Sequence, residues 1–215
     1  MCGITGWIDW NENMALRQPV LERMTETLAK RGPDAQGVWI SGPCALGHRR
    51  LSVIDPENGA QPMIRRKDGT VWVIVYNGEL YNTGELREEL EGRGHRFTTS
   101  CDTEVLLSAF IEWREASLAK LNGIFAFAVW NDREESLFLA RDRVGVKPLF
   151  YSLPRDGTFL FGSELKAILA HPLVKPAVGR EGLAEIFAIG PARTPGHGVF
   201  EGIRELKPGC WMRFD

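Results

Sequence analysis

The stretch that most constrains the fold is the run Ile124-Phe125-Ala126-Phe127-Ala128-Val129-Trp130. A strand-like run without polar alternation is buried on both faces. Residues 123–130, 137–141, 147–151 and 158–162 read as consecutive strands, separated by short turns at 131–135, 143–145 and 154–157. Connections this short join only antiparallel strands. An antiparallel sheet buried on both faces needs a layer on each side. Two such sheets stacked on one another and covered by helices meet that need. The expected fold is therefore α+β, a four-layer α-β-β-α sandwich. A parallel doubly wound α/β fold is the rival, and the hairpins argue against it.

The other segments fit around this. Residues 2–9 read as a strand and 14–30 as a helix, with Val20, Leu21, Met24 and Leu28 at helical spacing. Lys30-Arg31-Gly32-Pro33-Asp34 ends that helix. Short strands follow near 36–41 and 44–50, then a loop-rich stretch over 51–70. The apolar run 71–76 is a strand that Asn77-Gly78-Glu79 is expected to stop. Asn82 with Glu85 suggests a capping box for a helix at 83–92, and a second helix follows Asp102. Short helices are expected at 164–170 and 180–188. Beyond Gly190, Pro and Gly accumulate, so 191–215 reads as an irregular extension of a domain spanning 1–190.

Net charge −2 gives no sign of nucleic-acid binding. No apolar run reaches transmembrane length, so no membrane partner is expected. Cys2, Cys44, Cys101 and Cys210 form no C-x-x-C pair, which argues against a structural zinc site. No signal peptide is in view, and reduced thiols in the cytoplasm are expected.

Cys2 directly follows the initiator methionine. Removing Met1 would give one residue both a thiol and an α-amine. An α-amine has an unperturbed pKa of ~7.7–8 and a thiol ~8.5. Near neutral pH such an amine is a usable base beside the thiol, a known way to activate a nucleophile. Taken alone, Cys2 reads better as the first residue of an apolar strand, because a free Cys is usually a packing residue. If it attacks a carbonyl, the oxyanion needs donors, and Asn77-Gly78 at a strand end offers an amide and a backbone N–H. An isolated Asn-Gly is otherwise a turn. Arg50, in the pair Arg49-Arg50, suits a carboxylate clamp, against the plainer reading of a surface arginine pair. Asp102 suits an ammonium group, or a helix N-cap. His48 is a conceivable Cys–His partner with no local signature behind it.

Ordered motifs then resemble one family across almost the whole chain. They are Met-Cys-Gly-Ile at 1–4, Arg-Gly-Pro-Asp at 31–34, His-Arg-Arg-Leu-Ser-Val-Ile-Asp at 48–55, Gly-Ala-Gln-Pro-Met at 59–63, Tyr-Asn-Gly-Glu-Leu-Tyr-Asn at 76–82, Asp-Thr-Glu-Val-Leu-Leu at 102–107, Leu-Asn-Gly-Ile-Phe-Ala-Phe-Ala at 121–128, Ala-Arg-Asp-Arg-Val-Gly-Val-Lys-Pro-Leu-Phe-Tyr at 140–151 and Ser-Glu-Leu-Lys-Ala at 163–167. The chain resembles the glutamine-hydrolysing domain of class II, N-terminal nucleophile, glutamine amidotransferases. Among these it is most similar to the amino-terminal half of glutamine-hydrolysing asparagine synthetases.

The resemblance implies an N-terminal nucleophile hydrolase fold. It implies an enzyme that releases ammonia and glutamate from L-glutamine through a γ-glutamyl-cysteine thioester. Cys2 would be the nucleophile after loss of Met1, with its α-amine as base and acid. Asn77 and Gly78 would form the oxyanion hole. Arg50 would hold the α-carboxylate and Asp102 the α-ammonium, with Leu51, Ser52, Val53, Ile54 and Glu79 completing the glutamine pocket. No metal or cofactor is expected in this chain. ATP and Mg²⁺ would serve only the family's ATP-pyrophosphatase half, whose Ser-Gly-Gly-x-Asp-Ser loop does not occur here. Residues 191–215 would lead toward that ammonia-accepting synthetase domain, the expected partner, and a homodimer is the oligomeric expectation. The alternatives are a stand-alone or excised glutaminase serving another amide-forming synthetase, and a catalytically silent glutamine-binding or partner-docking module.

Overall fold

The computed structural model describes residues 1–53, 55–190 and 192–215. In chain order the elements are β1 (Gly3–Asp9), a 3₁₀ turn (Met14–Arg17), α1 (Gln18–Glu26), β2 (Ala35–Ser41), β3 (Cys44–Arg50), β4 (Met63–Lys67), β5 (Thr70–Leu80), α2 (Thr83–Gly92), α3 (Asp102–Trp113), a second 3₁₀ turn (Arg114–Ala116), α4 (Ser117–Lys120), β6 (Gly123–Asn131), β7 (Ser136–Arg141), β8 (Phe150–Arg155), β9 (Thr158–Gly162), α5 (Leu165–Leu169), α6 (Arg180–Ile189), β10 (Ile203–Glu205) and β11 (Trp211–Phe214). The strands form a six-stranded sheet, ordered β10-β8-β9-β1-β3-β2, and a five-stranded sheet, ordered β11-β7-β6-β5-β4. Every pairing is antiparallel.

Three apolar clusters make the layers. Ile4, Ile8, Leu46, Val73, Val75, Ala126, Ala128, Trp130 and Phe161 fill the space between the sheets. Ile74, Tyr76, Phe125, Phe127 and Val129 cover the outer face of the five-stranded sheet, against Leu86 and Leu90 of α2 and Leu106 and Phe110 of α3. Trp7, Ala45 and Leu160 pack outward against Leu21 and Met24 of α1 and Ile168 of α5. The alternate residues of β6 thus lie in two different cores, which explains the missing polar alternation. The architecture is the four-layer α-β-β-α sandwich that the strand pattern implies. No helix among the described residues is long and apolar enough to cross a membrane.

Several local expectations are corrected. The 14–30 helix is a 3₁₀ turn followed by the shorter α1, with Pro19 in its first turn. Asn77-Gly78-Glu79 does not stop β5. The strand runs to Leu80 because β6 pairs with it throughout, Asn77 opposite Ala126 and Gly78 opposite Phe125. Asn82 forms no capping box: its side chain donates to the Lys120 carbonyl at 2.9 Å and accepts from Asn122 N–H at 3.0 Å. The short 142–149 connection joins no hairpin, because β7 and β8 belong to different sheets. The expected strand at 147–151 is β8, displaced toward the C-terminus. Within 192–215, read as irregular, β10 pairs with β8 and β11 pairs with β7.

Candidate active site

Side-chain alternation in three strands builds a cavity at one end of the space between the sheets. Ile4 and Ile8 of β1 point into that space, so Cys2, of the same parity, does too. Cys44 and Leu46 of β3 point there, and Arg50 continues the set. Arg49 faces the other way, donating to the Gly32 carbonyl, Glu26 and Gln36. Val73 and Val75 of β5 put Asn77 and Glu79 on the same inner side. The cavity has a volume of about 300 Å³, at the lower end for small-ligand pockets. Cys2, Arg50, Leu51, Val53, Asn77, Gly78, Glu79 and Asp102 line it, and so does Met1. Ser52 lies beside the cavity rather than on its wall. Its N–H donates to Asp34 Oδ2 at 2.7 Å, which fixes the loop. Ile54 lies outside the described residues.

Cys2 is half-buried at the cavity end. Its Sγ accepts from the Leu51 N–H at 3.4 Å and lies 3.7 Å from the Leu51 carbonyl. Arg31 reaches over to the Cys2 carbonyl at 2.9 Å and also pairs with Glu164 at 3.1 Å. Cys2 N carries a peptide bond to Met1 in this chain, so it is an amide without basicity.

Opposite, β5 presents donors. Asn77 is 1% exposed, and its amide nitrogen has no hydrogen-bond partner among the described residues. A buried donor left unmade costs about 1–3 kcal/mol, so this amide has unspent capacity for an acceptor. Beyond Ile74, β5 has no strand on its β4 side. The N–H groups that point there find side chains instead: Tyr76 N–H donates to Gln61 Oε1 at 2.6 Å and Leu80 N–H to Asp102 Oδ2 at 3.2 Å. By ladder alternation the N–H of Gly78, between them, points the same way. A Cβ at Gly78 would collide with the Tyr76 ring and the Ile124 carbonyl, so the site needs glycine here.

Two charged groups sit apart along the cavity. Arg50 is 8% exposed, and its guanidinium donates to the carbonyls of Pro56 at 2.7 Å and Asp55 at 2.6 Å. A Cβ on Gly59 would strike that guanidinium, so the 55–59 turn wraps it closely. Asp102 is not a helix cap: Cys101 holds that position. Its carboxylate accepts from Tyr76 O–H at 2.9 Å as well as from Leu80. Burial raises its pKa despite these bonds. Glu79 is raised as well, by burial first and then by Asp102, with Lys147 opposing. The cavity therefore holds two carboxylates whose charged forms burial disfavours.

His48 cannot serve Cys2. It is 1% exposed, its Nε2 lies 3.1 Å from the Tyr76 carbonyl, and it does not line the cavity. Burial, with Arg50 nearby, lowers its pKa to about 4. Tyr76, Gln61, Asp34 and Lys147 belong to the site or its frame, yet the sequence reading gives them no role. The parity of β5 could have placed Tyr76 beside Asp102. The other three lie in the motifs at 31–34, 59–63 and 140–151, which mark their positions without giving them a role. Among the described residues, no group of three or more His, Cys, Asp or Glu is arranged to hold a metal.

A family model described as a glutamine amidotransferase domain matches residues 1–215. Asparagine synthetase [glutamine-hydrolyzing] 3 of Bacillus subtilis (strain 168) is 54% identical over 214 residues, covering 100% of this chain and 35% of that protein. Asparagine synthetase [glutamine-hydrolyzing] 1 of the same organism is 42% identical over 171 residues, 79% of this chain and 27% of that protein. The chain thus spans about a third of the length of these relatives. Among solved structures, an allosteric regulatory enzyme of purine biosynthesis superposes with a TM-score of 0.70 at 21% identity, over 100% of this chain and 47% of the other. Glutamine phosphoribosylpyrophosphate amidotransferase from B. subtilis gives 0.67 at 20% identity, with 47% of that chain covered. At such identities the likeness is one of fold.

Proposed function

Because the chain belongs to the glutamine amidotransferase domain family, we propose that its cavity hydrolyses L-glutamine, and that the ammonia released serves asparagine formation by a synthetase domain. The observation that carries this reading is the buried, unpartnered amide of Asn77 in the same cavity as the Cys2 thiol. A zwitterionic amino acid needs one cation and one anion to hold it, and Arg50 and Asp102 supply them. Identity of 54% to a glutamine-hydrolysing asparagine synthetase supports asparagine as the end use.

With Met1 removed, the α-amine of Cys2 takes the proton from the thiol. The sulfur attacks the side-chain amide carbon of glutamine, and the oxyanion is met by Asn77 Nδ2 and the Gly78 N–H. The α-ammonium returns the proton to the leaving nitrogen. Ammonia departs and a γ-glutamyl thioester remains. Water, deprotonated by the same amine, adds to the thioester, and collapse of the adduct frees glutamate and restores the thiol. Arg50, held by the 55–56 carbonyls, faces the substrate α-carboxylate, with Leu51 and Val53 beside it.

The test is ammonia release from glutamine by the processed chain, without ATP or Mg²⁺. Release that disappears in Cys2→Ala is the expected result. Glutamine binding without release would mean a silent binding module. Release only in the presence of ATP would contradict the reading.

A further inference from the structure

The cavity wall holds a cation that this reaction leaves without a task. Lys147 lies in the connection that carries the chain from β7 in one sheet to β8 in the other. Its backbone is pinned at both groups: the N–H donates to Asp142 Oδ2 at 3.0 Å, and the carbonyl accepts from Arg141 Nε at 2.7 Å. The residue is 7% exposed. Its Nζ donates to Met1 Sδ at 3.3 Å, and no carboxylate forms an ion pair with it among the described residues. A thioether is a weak acceptor. A buried ammonium with so poor a partner is costly.

Met1 is the group that processing removes. Cys2 lines the same cavity and acts electrostatically on Lys147, so once Met1 is gone its amine is the chain end facing that cavity. We propose that Lys147 is a positioning residue whose ammonium keeps the α-amine of processed Cys2 unprotonated at neutral pH and steadies the negative sulfur that forms when that amine takes the thiol proton. The proposal rests on the reading that Cys2 is the nucleophile and its amine the base. A neighbouring cation disfavours a second positive charge, so it lowers the pKa of an ammonium and shifts it by ~1 unit or more at close range. Burial and then Arg31 lower the pKa of Lys147, while Cys2, Asp142 and Glu79 oppose.

The other charged and titratable groups around the terminus are accounted for. Arg31, beyond α1, touches the Cys2 carbonyl and is paired with Glu164 before α5. Glu79 and Tyr76 come from β5, Arg50 from β3 and Asp102 from α3. Tyr76 donates to Asp102, and Arg50 donates to the 55–56 carbonyls. The two carboxylates favour a protonated amine. Lys147 is the cation on the cavity wall, beside Met1, that acts against them.

The experiment uses the processed chain as wild type, Lys147→Met, Lys147→Gln and Lys147→Arg, and records kcat and KM for glutamine across pH. Both neutral variants should move the acid limb of kcat/KM upward by about one pH unit. Activity at pH 6 should then fall roughly tenfold more than at pH 9, where KM stays near the wild-type value. Lys147→Arg should restore the limb. A limb that coincides with wild type in the neutral variants overturns the proposal, and so does a raised KM with an unmoved limb. In parallel, the ¹⁵N-labelled α-amine of processed wild type should titrate below the ~7.7–8 of an ordinary α-amine. A value at or above that range overturns the proposal without any variant. If the wild type releases no ammonia at any pH, the proposed reaction fails instead, and the α-amine titration of processed Lys147→Met against wild type still decides the effect of Lys147: a higher value in the variant supports it and an equal value overturns it.

Discussion

Two side chains near opposite ends of β1, Asp9 and Asn77, are in opposite states. At its C-terminal end Asp9, 0% exposed, accepts from Arg155 at 2.9 Å, from Thr158 Oγ1 at 2.8 Å and from the Asn11 N–H at 2.9 Å. Burial pushes its pKa up, but these bonds outweigh it and the carboxyl is held below its usual range. At the N-terminal end, Asn77 has an amide without a partner, Lys147 has a thioether, and burial leaves Asp102 raised. The same contrast recurs within the first turn of α3. Glu104 is raised by burial but brought below its usual range by bonds from Thr99 and Thr98, while Asp102, facing the cavity, stays raised. Saturated polar groups secure the fold. Of the buried side-chain atoms without a partner among the described residues, which also include Trp7 Nε1 and His171 Nε2, the Asn77 amide is the one that lines the cavity, and it costs stability until a ligand binds.

The largest effect that sharpens this contrast concerns Met1. Methionine left on Cys2 converts the base to an amide and fills cavity wall, so separated Met1-bearing protein should fold normally yet hydrolyse glutamine at least about 10²-fold more slowly. Intact mass and a glutaminase assay on each fraction check this. Equal rates would exclude the amine as base, and His48, neutral and bonded to a carbonyl outside the cavity, offers no replacement. Next is Asn77→Ala, which should lower kcat about 10²–10³-fold with KM little changed. A KM effect alone would make Asn77 a binding group.

At the other end of β1, Asp9→Asn should leave kcat/KM unchanged and lower the thermal midpoint by about 5 °C at pH 7. The folded pKa of Asp9 lies below the unfolded 3.8. Its contribution is therefore full above 3.8 and lost as pH falls through the folded value. The midpoints of wild type and variant should converge in strong acid. Loss of activity in Asp9→Asn at full stability would break the contrast. A pH-dependent effect belongs to His48. Its folded pKa of about 4 lies below 6.5, so the unfolded chain takes the proton first. Stability should fall as pH drops from 6.5 toward 4, and His48→Gln should flatten that segment of a pH–stability curve.

The four-layer sandwich is legible in the chain because β6 advertises two buried faces. Elements decided by partners rather than by local pattern are not legible. β4 alternates Ile64 and Arg66 outward on an edge, and β10 and β11 are short edge strands that exist through pairing with β8 and β7. Asn77-Gly78 has turn chemistry, yet the β6 ladder holds it in a strand. The separation of Arg49 from Arg50 follows from strand alternation and needs only the position of β3. The placement of Lys147 beside Met1 depends on a chain crossing between sheets, which no local spacing encodes.

The most direct test of ligand-poised polarity is thermal unfolding of Asp102→Asn with and without glutamine, in a Cys2→Ala background that prevents turnover. The folded pKa of Asp102 lies above the unfolded 3.8. Below 3.8 both states are protonated. As pH rises from 3.8 through the folded value the charged form costs stability, and above that value the cost is complete. Asn retains an oxygen to accept from Tyr76 and Leu80 without the charge. The expected result is a midpoint at or about 1–3 °C above the parent without glutamine, and loss of most of the glutamine-induced rise. A variant less stable than its parent that keeps the full rise would contradict the assignment of Asp102 to the ligand.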